Sequence, residues 1–190
     1  MFSSSFSDRR SVFTIDGSNL IVEVNRPFLE ALPVAMQAVD QDAFVGRSIW
    51  EFIPGTLPRQ LWEVLYSRVR AVGAPVFVPL RMDTPDMRRL IDLELHPLGD
   101  RFVRHVGECI WTEARPAIAL LDPNYPRDSR KLSRCAWCAR IRVDFGSWVE
   151  IEQAQAMLEL EAIATLPTVH DSACTSCTQS MLKTFPVRAA

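Results

Sequence analysis

Apolar residues along this chain change period several times, and each change marks an element. Ser11 to Asp16 alternates, Asp16-Gly17-Ser18-Asn19 is turn chemistry, and Leu20, Val22 and Val24 alternate again, which predicts a β-hairpin. Asn25 then caps a short helix with Phe28, Leu29 and Leu32 on its apolar side and Pro33 at its end. The stretch on to Asp42 fits helix and loop equally and is assigned to neither. Gly46 to Ile53 reads as one short helix, broken by Pro54-Gly55. Thr56 is the candidate N-cap of a longer helix with Pro58 in its first turn; Leu61, Leu65, Val69 and Val72 recur at helical spacing and Gly73 supplies the stop. Three strands follow, Pro75 to Met82, Met87 to Leu98 and Arg101 to Glu113. In the second, Ile91, Leu93 and Leu95 share one face while Asp92, Glu94 and His96 share the other, so the sheet is antiparallel with one wetter face.

Prolines and charges then take over between Arg115 and Lys131. Beyond them Ala139 to Val143 fits a strand, and Ser147-Trp148-Val149-Glu150 matches a capping box opening a helix through about Glu161, with Ile151, Ala154 and Leu158 as its apolar stripe. The pattern divides the chain into a flexible tail (1–10), an α+β block with a five-stranded antiparallel sheet and helices on one face (11–115), a linker (116–130), a small α/β subdomain (131–184) and a closing tail (185–190). There is no internal repeat and no heptad array.

Composition narrows the class of protein. With 190 residues, 48% hydrophobic and 23% charged, the chain can bury a core without disulfides. A net charge of −2 argues against a surface built throughout for a phosphate backbone. The longest apolar runs, Ala74 to Leu80 and Ala117 to Leu121, fall far short of the roughly 18 residues of a membrane span. The N-terminus has no apolar segment after its basic residues, so a cytoplasmic location is expected. Five cysteines are an odd number, and in a reducing compartment they are not read as disulfides.

Four of the five form the strongest chemical signal. Cys135-Ala136-Trp137-Cys138 and Cys174-Thr175-Ser176-Cys177 are two C-x2-C knuckles with 35 residues between them. Such a turn brings two thiolates to one side, and two turns complete a closed tetrahedral Zn²⁺ site without an open position for water; an iron–sulfur cluster takes the same four ligands. Arg127, Arg130, Lys131, Arg134, Arg140 and Arg142 outnumber Asp128 and Asp144 around the first knuckle, and cations favour thiolate over thiol. A redox dithiol does not fit, because Trp137 lies inside the pair and a second pair exists. Removing the metal is expected to unfold the segment after about residue 130 and spare the N-terminal block.

Residues 11–115 resemble a PAS domain. Asp16-Gly17 in the first turn, Val24-Asn25-Arg26-Pro27-Phe28 at the strand-to-helix junction, Val45-Gly46-Arg47-Ser48 opening the next helix and the Asp92-Leu93-Glu94-Leu95 strand carry the resemblance. It implies a sensor or interaction module rather than an enzyme, a pocket between helices and sheet, and a homodimer. Gly46-Arg47 is followed by Ser48-Ile49-Trp50, not by the cysteine of a light-oxygen-voltage flavin site. With no cysteine before Cys109 and no histidine before His96, only His96, His105 and Cys109 remain as ligands for a haem or chromophore. The chemistry is against haem and flavin. His96 shares the polar strand face, whereas His105 and Cys109 share parity with Val103 and Trp111 and are candidates for the pocket side. The expected pocket wall is Ile91, Leu93 and Leu95, with Trp50 and Leu65 opposite, suited to a small apolar or amphipathic molecule.

Residues 133–178 resemble a short cysteine module found after PAS domains in bacterial sensor proteins. There a histidine stands three positions before the third cysteine. Here His170 stands four before Cys174, which leaves it open as ligand, neighbour of a thiolate or surface residue. The reading that follows is a bacterial signalling module with a structural zinc on Cys135, Cys138, Cys174 and Cys177, acting through a small ligand and an unidentified protein partner. The alternative is a zinc-dependent nucleic-acid-binding regulator using the basic knuckle 127–142. Asp92 and Glu94 point one way on a strand, but no triad or phosphate loop accompanies them, and no catalytic residue is assigned.

Overall fold

The computed structural model describes residues 10–31, 40–144, 146–161 and 163–183. The expected tails therefore lie outside the described residues apart from Arg10, as does most of the unassigned stretch before Asp42. The first half forms β1 (Ser11–Ile15), β2 (Ile21–Val24), α1 (Arg26–Ala31), two single 3₁₀ turns (Gln41–Ala43 and Ile49–Glu51), α2 (Thr56–Val72), β3 (Val76–Arg81), β4 (Met87–Pro97) and β5 (Val103–Ala114). The five strands make one antiparallel sheet in the order β2-β1-β5-β4-β3 with the helices against one face, a mixed α+β arrangement consistent with the PAS-like expectation.

Local chemistry explains the element boundaries. Asp16 Oδ1 accepts from the amides of Ser18 and Leu20 and so closes the β1–β2 turn. Asn25 Oδ1 accepts from Val12 N and Phe28 N, fastening β1 while it caps α1. Ser48 and Glu51 form a reciprocal capping box, but it opens one 3₁₀ turn, not the longer helix expected over 46–53. The N-cap of α2 is Gly55, not Thr56. At φ 87° a side chain is disfavoured, and a Cβ there would stand 2.6 Å from the Asp171 carbonyl oxygen. From α2, Leu61, Leu65, Tyr66 and Val69 pack in one core with Val76, Val78, Leu93, Leu95 and Val103. The inward wall of Leu93 and Leu95 is thus as expected, but side chains fill the space opposite it.

A bulge changes the outer end of the sheet. Ile91 pairs with Cys109 whereas Leu90 pairs with Trp111, so β5 carries one extra residue there, and the strand is exposed throughout from Cys109 to Ala114. His105 alone of the pocket candidates is buried. Its ring stacks on Phe13 at 3.9 Å and its Nε2 shares a 3.0 Å hydrogen bond with the Tyr66 hydroxyl. His96 instead pairs with Glu94 on the wetter face.

Burial lowers the His105 pKa to about 3; the backbone of Phe13 and Val103 offsets part of this, although Nδ1 has no aligned partner among the described residues. The folded value lies below the ordinary one of about 6.5, so as pH falls the unfolded chain takes the proton first. Stability from this residue is therefore complete above about pH 6.5 and lost on the way down to about 3, by at most about 1.4 kcal/mol per pH unit. Urea midpoints of the protein and of His105→Gln should differ less as pH is lowered from 7 towards 4.5. A constant difference would mean that the imidazole is equally protonated in both states.

The second half forms β6 (Arg127–Cys135), β7 (Ile141–Arg142), β8 (Trp148–Val149), α3 (Ile151–Met157), β9 (Leu166–Ser172) and α4 (Thr175–Lys183), with a sheet in the order β8-β7-β6-β9. The helix expected over 147–161 is shorter. Asp144 Oδ1 takes the amides of Gly146 and Ser147, Trp148 and Val149 pair with β7, and α3 starts only after Glu150. The stretch read as linker supplies Ile118 and Leu120 to a second core with Ile141, Ile151, Ala154, Leu160 and Leu166, and β6 starts within it. Among the described residues no helix is long and apolar enough to cross a membrane.

Candidate metal centre

The two knuckles meet because β6 and β9 are parallel neighbours. Cys135 pairs in register with Ser172, so the first knuckle leaves β6 at the same end of the sheet at which β9 delivers Ala173 and Cys174. A parallel pair needs a crossover of a dozen or more residues, which accounts for the long spacing between the pairs. Residues 136–138 turn the chain back into β7: Cys135 N donates to Arg140 O, Ala139 N to Cys135 O, and Ala139 takes a positive φ of 61°. The second knuckle opens α4, whose first helical bond runs from Thr178 N to the Cys174 carbonyl. Cys174, Cys177 and Met181 follow helical spacing, a stripe present in the sequence but not read there as a helix.

The sulfurs of Cys135, Cys138, Cys174 and Cys177 all lie within 4.8 Å of one another. A tetrahedron with Zn–S bonds of about 2.3 Å has edges of about 3.8 Å, and Cys138 Sγ to Cys174 Sγ is 3.7 Å. A multi-iron cluster must fit several atoms between its thiolates, and this spread has room for a single ion. The backbone supports the set, with Cys174 N donating to Cys135 Sγ at 3.3 Å and Cys177 N to Cys174 Sγ at 3.4 Å. Hydrogen bonds from Cys138 and Cys177 favour the Cys135 thiolate. The same bonds, read from the donors, push Cys138 up to about 12 and Cys177 higher. Without a cation, four thiols this close resist further ionisation; a soft dication removes the conflict.

The site is embedded where the two halves touch. Cys135 and Cys174 are 1% and 3% exposed and belong to the same core as Leu61, Leu65 and Leu95. Trp137, inside the first knuckle, stacks on Trp62 of α2 at 6.0 Å, and its carbonyl accepts from Arg81 N at the end of edge strand β3. Cys109 is exposed and lies outside the cluster. His170 is also outside it: exposed, it pairs with Ser133 across β6 and β9, its Nε2 3.1 Å from the Ser133 hydroxyl.

Most of the basic residues counted around the first knuckle have partners. Arg130 pairs with Asp128, Arg134 with Asp171 and Arg140 with Glu150, while Arg127 donates to the carbonyls of Leu120, Asp122 and Pro167. Glu150, read in the sequence as the last residue of a capping box, also meets Arg81 at 3.5 Å. Arg140 stands close enough to Cys138 and Cys174 for their charge to raise its pKa, after the larger effect of Glu150.

No protein-family model matches the chain, and no curated protein matches it. Among solved structures it is similar to the PAS domain of Bordetella pertussis BvgS, with a TM-score of 0.39 and 18% identity over 54% of this chain and 73% of that one.

Proposed function

We propose that this chain is a sensory or signalling module in which a PAS-like block is fastened to its C-terminal half by one structural Zn²⁺ on Cys135, Cys138, Cys174 and Cys177. The observation that carries the reading is the gathering of four sulfurs within 4.8 Å at a place where both halves share a core. A closed four-sulfur site holds its ion without a position for substrate, so the module works by binding and not by catalysis. Its output is a protein contact. α2, in the PAS-like block, meets β9 and α4, and Arg68 donates to the Met181 and Leu182 carbonyls at the end of α4, so a displacement of α2 would reach the last helix. A cytoplasmic homodimer completes the proposal. Pairing of the knuckle arginines with acids weighs against the nucleic-acid alternative.

Metal content of purified variants tests the reading. One zinc per chain is expected in the protein and in Cys109→Ser, with loss in Cys135→Ser and Cys174→Ser and a colourless solution throughout. Zinc loss in Cys109→Ser, or full retention in Cys174→Ser, would overturn the ligand set. Absorption in the visible would replace zinc by iron.

A further inference from the structure

A groove of about 610 Å³ lies along α2, floored by the edge of the first core. Its floor is Tyr66 with Trp50, rings 5.8 Å apart. Glu63, Ser67 and Arg70 follow one another along α2 at helical spacing, and Asn19 of the β1–β2 turn and Arg101 of the β4–β5 turn form the opposite wall.

Arg70 ties these parts together. Its Nε donates to the Arg101 carbonyl, and one terminal nitrogen donates to the Asp16 carbonyl and Asn19 Oδ1. Its other terminal nitrogen has no hydrogen bond among the described residues. Arg101 makes no ion pair or side-chain hydrogen bond among the described residues either, although it lies close enough to Arg70 to disfavour the charge there, an effect second to burial. Arg101 takes a left-handed φ of 67°, which costs a non-glycine residue on the order of 1–3 kcal/mol, while Asn19, at φ 65°, is of the residue type that adopts this conformation readily. The Asp16 carboxylate reaches Arg70 only as the weakest of the effects on it, and two neighbouring guanidiniums that no carboxylate bridges make a fork for one. Seven residues before Arg70, about 10 Å along the helix, Glu63 has no ion pair among the described residues and is the groove's counterpart for a cation.

We propose that this groove binds a small zwitterion of the amino-acid class, its carboxylate on Arg101 and the open edge of Arg70, its ammonium towards Glu63 and its apolar body over Trp50 and Tyr66. A simple anion would face Glu63 uncompensated, and a simple cation would face two arginines. The volume falls within the usual range for small-molecule sites and accommodates one amino acid or a dipeptide. Occupancy would be felt through Tyr66, whose hydroxyl meets the buried His105, and through α2, which carries Arg68 to α4. The assignment deepens the sensory reading and rests on it for its purpose, but it does not depend on the metal.

The test is calorimetry and ligand-observed NMR on the metal-replete full chain with L-phenylalanine, glycyl-L-phenylalanine, 3-phenylpropionate and phenethylamine. At least one zwitterion should bind about tenfold or more tightly than either singly charged compound, a difference of about 1.4 kcal/mol. Arg101→Gly, which relieves the positive φ while removing the guanidinium, should weaken that binding about tenfold without loss of thermal stability. Glu63→Gln should bring 3-phenylpropionate level with phenylalanine. No binding of any of the four up to about 10 mM, or unchanged binding in Arg101→Gly, would overturn the site. Zinc content measured on the same samples reports separately on the four-cysteine reading, so the two failures are distinguishable.

Discussion

Removing the metal with a strong chelator is expected to unfold the chain as one cooperative unit, not the C-terminal half alone. The linear division of the sequence pointed to local loss after residue 130. The packing changes that expectation: Cys135, Trp137, Ala173, Cys174 and Met181 sit in one core with Leu61, Leu65, Tyr66, Val78 and Leu95, and Trp137 stacks on Trp62. When the knuckles open, the apolar face of α2 that they cover returns to water. A structural zinc contributes on the order of 10–16 kcal/mol in small peptides, comparable with the 5–15 kcal/mol of a whole domain. Far-ultraviolet circular dichroism and tryptophan fluorescence should thus fall together on chelation and recover together on adding Zn²⁺. Hydrogen exchange locates the loss. If the amides of β4 and β5 stay protected in the chelated protein while those of β6 and β9 exchange, the shared core is not a cooperative unit.

The N-terminal block was legible because its signals are local. A period of two in β4, a period near 3.6 in α2, and the stops at Asp16-Gly17 and Gly73 each lie within one element and agree with its neighbours, whereas the alternation of Leu20, Val22 and Val24 failed, Ile21 and Val24 being buried and Leu20 and Val22 exposed. The four cysteines were legible for the same reason: each knuckle is a motif four residues long. What joins the knuckles was not. β6 reads Arg-Asp-Ser-Arg-Lys-Leu-Ser-Arg-Cys, a polar run with only Ser133 and Cys135 buried, so no periodicity announces a strand. Its partner β9 lies about thirty residues on, and a parallel register is set by the crossover between them. The reading of Cys109 and Trp111 failed as well, because β5 is exposed on both faces from Cys109 to Ala114 and parity there no longer separates inside from outside. The amino-acid-sized groove escaped too, being assembled from two turns and a helix face far apart in the chain.

The ion-pair chain beside the metal site was equally invisible in the sequence and should have the largest effect of any single surface-distant charge. The Asp83 side chain is 2% exposed and is held by Arg81 at 2.6 Å and Arg115 at 3.3 Å; the Arg115 side chain is 5% exposed and continues to Glu152 at 2.8 Å. Glu152 also takes Arg88 at 2.9 Å, and Arg81 leads through Glu150 to Arg140 beside the first knuckle. The β3–β4 turn is thereby locked to the start of α3 and to the cysteine turn. Attraction between such groups largely offsets what dehydrating them costs, so the intact chain of pairs adds little, but removing Asp83 leaves one positive charge in excess, with Arg81 reduced to Glu150 and Arg115 to Glu152. Asp83→Ala should therefore cost about 1–3 kcal/mol in urea unfolding, because the Arg89 amide and one edge of each guanidinium lose their acceptor. The double variant Asp83→Ala/Arg115→Met, which restores the balance of charge while Glu152 keeps Arg88, should regain part of that loss. Equal stability of the single and double variants would assign the cost to the Arg89 amide and Arg81, which also bond Asp83, and a single-variant loss below about 1 kcal/mol would mean that water reaches the Arg115 guanidinium.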